Sequence, residues 1–140
     1  MANGRRDQRQ QQQDPILTRI EGVNSFSEIK TSEFALPDGF AQQIARSERK
    51  MKTTQLRKFF SKIKNIENKV HRDKQLNDDI MKDLYLIVPE LTYALGRELI
   101  TRNFFRIITT IIKDKIKSVD DFDNFSRFMT ALVAYRKVEE

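Results

Sequence analysis

The sequence predicts an all-α protein, a bundle of about five helices behind a disordered N-terminal extension. Three observations carry this. Apolar residues recur at three- and four-residue spacing through most of the chain beyond Leu36. No stretch sustains the alternation of a half-buried strand, and no Asn-Gly or Asp-Gly pair joins two such runs. Capping residues stand where the periodic segments begin.

Residues 1–14 are a polar tract of Arg, Gln and Asp. Such a segment has too little apolar surface to offset its ordering entropy, so disorder is expected. Residues 15–35 scatter single apolar residues among Gly22, Asn24, Ser25 and Thr31. They are assigned, with at most a short helical piece, to a flexible extension over 1–35. The folded domain is placed at 36–140.

Pro37 suits a first helical turn, where its missing N–H costs nothing. Phe40, Ala41, Ile44 and Ala45 give that helix its apolar face. Thr53 and Thr54 are N-cap residues for a second helix over about 54–72. Its apolar face is Leu56, Phe59, Phe60, Ile63, Ile66 and Val70. A third helix starts near Asn77, with Asp78 and Asp79 suited to its N-terminal dipole. Pro89 is expected to kink or restart it, and Gly96 to cap its end. A fourth helix, about 98–117, is apolar over much of its circumference, as a central or subunit-contacting helix would be. Ser118-Val119-Asp120-Asp121 reads as a capping-box start for the fifth. Its stripe is Phe122, Phe125, Met129, Leu132 and Val133.

A chain of 140 residues with 39% hydrophobic content and ten phenylalanines is long enough for one core. It has no cysteine, which excludes disulfides, thiolate metal sites and a Cys nucleophile, and fits a cytoplasmic protein. No apolar run reaches the roughly 20 residues of a bilayer span, so no membrane association is expected. The N-terminus leads into glutamines and not into an apolar segment, unlike a secretory signal.

Catalytic constellations are missing too. The single histidine, His71, lies among charged residues near a helix end. A nucleophile needs a base and an orienter, and none is spaced to serve. The four glycines are scattered singly, so there is no phosphate-binding loop. Asp120, Asp121 and Asp123 lack calcium-loop spacing. Neither an enzyme, a cofactor nor a metal site is predicted.

What remains is charge. Arg46 to Lys74 holds eleven Lys or Arg against Glu48, Glu67 and Asp73, a net +8, whereas the whole chain is +6. The remainder is slightly acidic. A basic segment on a near-neutral body is the footprint of a surface that meets a polyanion. A merely solvated face ordinarily mixes both signs. Thr53, Thr54 and Gln55 place hydroxyls, an amide and backbone N–H groups at a helix N-terminus, a natural phosphate site. Arg57 and Lys58 follow one turn in. Such contacts hold a strand without reading its bases. The phenylalanines fall at core spacing, and Tyr93 and Tyr135 are expected to be buried packing residues, so no stacking platform is predicted. Two other classes fit less well: a helix-turn-helix DNA-binding regulator reading with residues 54–72, and a helical adaptor for an acidic protein.

Three words occur in order. They are Thr53-Thr54-Gln55-Leu56-Arg57-Lys58, Leu91-Thr92-Tyr93-Ala94-Leu95-Gly96-Arg97, and Phe128-Met129-Thr130-Ala131-Leu132-Val133-Ala134-Tyr135-Arg136-Lys137. Together they resemble the small subunit of type III-A CRISPR interference complexes, the Csm family, over about residues 37–138. Thr54 stands where that family usually has Ser, Thr130 where it has Glu, and Arg136 where it has His.

The resemblance implies a non-catalytic, RNA-binding subunit of an antiviral defence complex. Copies of it line the path of the guide RNA and target RNA beside the backbone and large subunits, and dimer or filament contacts between copies are expected. Mapped onto this chain, Thr53, Gln55, Arg57 and Lys58 are the foremost phosphate contacts, with Thr54 among the RNA-binding residues beside them. Arg97 follows, with an equal reading as a cation at a helix C-terminus. Arg136 and Lys137 are expected at the edge, and Lys50, Lys52, Lys62 and Lys64 supply field.

Overall fold

A computed structural model describes residues 14–140. Among them there is no strand, and the all-α prediction holds. The disorder expected of the polar tract falls, Asp14 apart, on residues outside those described. The helices are α1 (Pro15–Glu21), α2 (Thr31–Ala35), α3 (Phe40–Ser47), α4 (Thr53–Asp73), α5 (Asp78–Tyr85), α6 (Ile87–Gly96), α7 (Arg102–Thr110) and α8 (Val119–Glu139). A 3-10 turn spans Phe26–Glu28, and a wider π turn, Ile111–Lys115, continues α7.

α8 is the hub. It packs against α2, the 3-10 turn, α3 and α4. Phe122, Phe125, Phe128, Met129 and Leu132 are all buried along it. Its start is the capping box read from the sequence: Ser118 Oγ accepts the Asp121 N–H at 3.2 Å, and Asp121 Oδ2 accepts the Ser118 N–H at 3.1 Å.

The segment 15–35 departs from expectation. It was assigned to a flexible extension, but Ile16, Leu17, Ile20, Val23, Phe26, Ile29 and Phe34 are all core residues. Phe26 and Phe34 meet Phe125 and Phe128 with ring centroids 5.6–6.3 Å apart. Asn124, buried on α8, donates from Nδ2 to the carbonyls of Phe26 and Ile29 at 2.9 and 2.8 Å. Asp121 also accepts the Ser27 N–H at 2.9 Å. These apolar residues follow no single period because the segment is a helix, a 3-10 turn and a second short helix in succession.

Other boundaries shift for local reasons. Pro37 lies in the turn before α3, whose N-cap is Gly39. A Cβ on Gly39 would sit 2.7 Å from the Glu33 carbonyl oxygen, closer than atoms pack, so only glycine fits there. The third predicted helix divides at Leu86 into α5 and α6. Glu98, and not Gly96, takes the left-handed conformation after α6, with φ 59°. The fourth helix therefore starts later, capped by Thr101, whose Oγ accepts the Phe104 N–H at 3.1 Å. Its broad apolar surface is consumed inside the chain: Phe104, Ile107, Ile108, Ile111, Ile112 and Ile116 are all buried.

Candidate nucleic-acid interface

The basic segment begins where α3 ends. Glu48 is buried and accepts the Thr101 hydroxyl proton on its carboxylate oxygens at 2.6 and 2.7 Å. Burial pushes its carboxyl above the ordinary value, against the opposing pull of the Thr101 donors and the nearby Arg136 charge. This contact fixes the start of the connector to the N-terminus of α7.

Arg136 fixes the rest of the connector. It was expected at the edge of a bound strand, yet it is only 5% exposed. Its Nε donates to the Met51 carbonyl and its Nη2 to the Arg49 carbonyl, both at 2.8 Å. A guanidinium presents several donors in a fixed fork, which suits two neighbouring carbonyls. Arg136 is thus a buttress beneath the connector, not a contact on it. Above it, Arg49, Lys50 and Lys52 are exposed.

The N-terminus of α4 also differs from expectation. Lys52 is its N-cap residue and Thr53 its first helical residue. Thr53 is 5% exposed, and its Oγ is buried without a hydrogen-bond partner. The Thr53 N–H donates to Glu140 Oε1 at 3.3 Å. The expected phosphate position at this helix end is therefore held by a carboxylate of the same chain. Lys137, at the far end of α8, is exposed and pairs with Glu140 at 3.3 Å.

One turn further, the predicted contacts lie at the surface. Thr54, Arg57 and Lys58 are exposed and Gln55 is half-buried. Leu56, Phe59, Ile63, Ile66 and Val70 are buried on the opposite face. Among the described residues, no carboxylate pairs with Lys50, Lys52, Arg57 or Lys58. Further along α4, Lys62 pairs with Glu90 of α6, and Lys64 with Glu67 at 3.3 Å. Lys69 pairs with Asp83 at 2.6 Å and Arg72 with Asp73 at 2.8 Å. Lys62 and Lys64, expected to add field, have theirs partly cancelled.

Arg97 comes to the same place from another helix. A groove between α4 and α6 has Gln55, Lys58 and Lys62 on one wall and Tyr93 and Arg97 on the other. Phe59, Pro89 and Leu99 add apolar surface to it. Among the described residues Arg97 also lacks a carboxylate partner. Its guanidinium lies 5.8 Å from the Tyr93 ring centroid. Tyr93, expected to be buried, is 67% exposed. The sequence signal that was passed over is the four-residue separation of Tyr93 and Arg97, which stacks the two on one helix face. Tyr135 does behave as expected: it is half-buried, and its hydroxyl donates to the Ala35 carbonyl at 2.7 Å.

Five sequence-predicted cations thus stand exposed and unpaired on the connector, the first turns of α4 and the end of α6: Lys50, Lys52, Arg57, Lys58 and Arg97. Among the described residues no cluster of His, Cys, Asp or Glu is arranged to hold a metal. No helix there is long and apolar enough to cross a membrane. A family model described as Csm2 Type III-A matches residues 32–140. No curated protein and no solved structure matches the chain.

Proposed function

Because the chain belongs to the Csm2 Type III-A family, the small subunits of type III-A Csm complexes, we propose that it holds RNA by sequence-independent phosphate contacts and does no chemistry on it. The observation that carries this is the set of five exposed cations without carboxylate partners among the described residues, Lys50, Lys52, Arg57, Lys58 and Arg97. A cation already paired gives little to an incoming phosphate, because its partner must first be displaced. These five have no such partner among the described residues. Lys58 and Arg97 face one groove from two helices, so a backbone can be gripped from two sides. Arg57 and Lys52 extend the same charge outward.

On this reading the partners are guide RNA and target RNA, the backbone and large subunits of the complex, and neighbouring copies of this chain. The setting is cytoplasmic antiviral defence, with RNA cleavage left to other subunits. The Thr53 N–H is not among the contacts in this conformation, since Glu140 occupies it.

The test is the salt dependence of RNA binding by the full chain. Neutralising about five phosphates gives a log–log slope near −4. Arg57→Ala with Lys58→Ala should reduce that slope by roughly 1.5 to 2 and weaken all sequences alike. A salt-independent affinity, or a loss confined to one sequence, refutes the proposal.

A further inference from the structure

We infer that the groove between α4 and α6 is a nucleotide site, in which an unpaired RNA base stacks on Tyr93 while its phosphate meets Lys58 and Arg97. The inference rests on the RNA reading above and adds a contact to the base itself.

Tyr93 is 67% exposed and borders a groove, so its ring is open to a ligand there. Arg97 takes part of the ring from the same helix, at 5.8 Å from the centroid. The pairing places a cation beside the ring, and the exposure of Tyr93 leaves ring surface open to a second, planar partner. Across the groove stand Gln55 and Lys58, the latter a cation for a phosphate. Phe59 and Leu99 supply apolar surface between them. The groove's 350 Å³ falls at the lower end of the roughly 300–1,000 Å³ typical of small-molecule clefts, a size suited to one nucleotide.

The charge balance selects the ligand. Glu90 cancels Lys62, so the groove keeps the positive charges of Lys58 and Arg97 beside an aromatic face. Anionic backbone plus planar base is the chemistry that matches both. Base–aromatic stacking tolerates any sequence, consistent with contacts that do not read bases. RNA in single-stranded form offers such bases, whereas a continuous duplex keeps them stacked on one another.

The experiment compares two RNAs of equal length with the full chain: a single-stranded oligoadenylate, and the same sugar-phosphate backbone made abasic. Tyr93→Ala should weaken oligoadenylate binding roughly five- to a hundredfold and leave the abasic strand within about twofold. Tyr93→Phe should restore oligoadenylate binding, because the stacking face is kept. If Tyr93→Ala leaves both RNAs unaffected, or weakens both equally, the base contact is overturned while phosphate binding stands. If Tyr93→Ala weakens only association with other Csm subunits, the ring is a protein contact and the inference fails. If wild type binds neither RNA, the phosphate-binding reading falls first and this one with it.

Discussion

In the first turns of α4, Arg57 and Lys58 stand exposed with no carboxylate partner among the described residues. In its later turns Lys64, Lys69 and Arg72 each hold one, on α4 itself or on α5. Lys62 marks the change, paired with Glu90 of α6. The later turns carry Glu67 and Asp73, whereas the first turns carry no acid. Their neighbours widen the difference: the later turns run beside α5, which brings Asp83, whereas the first turns look onto a groove and solvent. A basic segment is therefore not a uniform surface. Pairing decides which of its charges remain available to a polyanion, and exposed pairs of this kind add only about 0–1 kcal/mol each to stability.

The largest expected break in this comparison lies beneath the unpaired half. Arg136→Ala removes both donors from the Arg49 and Met51 carbonyls. Leaving buried carbonyls unmet should cost about 2–4 kcal/mol, read as a fall in the denaturation midpoint. RNA affinity should drop with it, although Arg136 is too buried to touch the strand. Normal stability in this variant would remove the buttress role.

Charge reversal comes next. Arg57→Glu with Lys58→Glu should abolish measurable RNA binding at physiological salt and leave the melting temperature nearly unchanged. Lys64→Glu with Lys69→Glu should do the opposite: a smaller loss of affinity, through long-range field alone, and a clear loss of stability from like charges placed at Glu67 and Asp83. Equal losses of affinity in the two variants would erase the distinction between the halves.

A smaller effect runs in the other direction. Glu90→Gln releases Lys62 into the α4–α6 groove. RNA affinity should rise about two- to fivefold, with the salt slope steeper by just under one. No change would mean that Lys62 points away from the strand even when free.

The subtlest difference is in pH. Burial pushes the Glu67 carboxyl up, but hydrogen bonds from Ser126 and Lys64 outweigh it and hold the carboxyl below its ordinary value. Asp83 is lowered by Lys69, and Asp73 by Arg72 and Asn77. A depressed carboxyl stabilises the fold above its unfolded pKa, and that stability is lost as pH falls through the folded value. Glu67→Gln should therefore flatten the acid limb of the stability curve below about pH 4.5. Arg57→Ala should leave that limb unchanged, since no carboxylate there depends on it. An unaltered acid limb in Glu67→Gln would show that its partners contribute nothing.

The helices that carry the candidate site were legible because their signals are local. The period of Leu56, Phe59, Ile63, Ile66 and Val70 placed α4 within a residue of its ends, and Ser118 announced α8. What stayed hidden depends on partners distant in sequence. Nothing near residues 15–35 says that Asn124 will claim the carbonyls of Phe26 and Ile29. Arg136 is a surface cation by type, and only the returning connector turns it inward. Thr53 has the chemistry of a cap, but Glu140, 87 residues away, took the N–H it was meant to leave open. Lys62 and Lys69 likewise look like free cations until α6 and α5 are laid alongside α4, whereas Lys64 and Arg72 have their acids within three residues.

The hub position of α8 bears on how the chain is made. Every earlier helix packed on it, from α2 to α4, is translated before it. At roughly 5–20 residues per second, the growing polypeptide spends several seconds with Phe26, Phe34 and the apolar side of α4 unable to find their permanent neighbour. Early segments are thus exposed to misassociation on the ribosome until the sequence beyond Ser118 emerges. A nascent chain halted before that point should stay bound to a holdase chaperone and release only once the Phe122–Leu132 stretch is free of the exit tunnel.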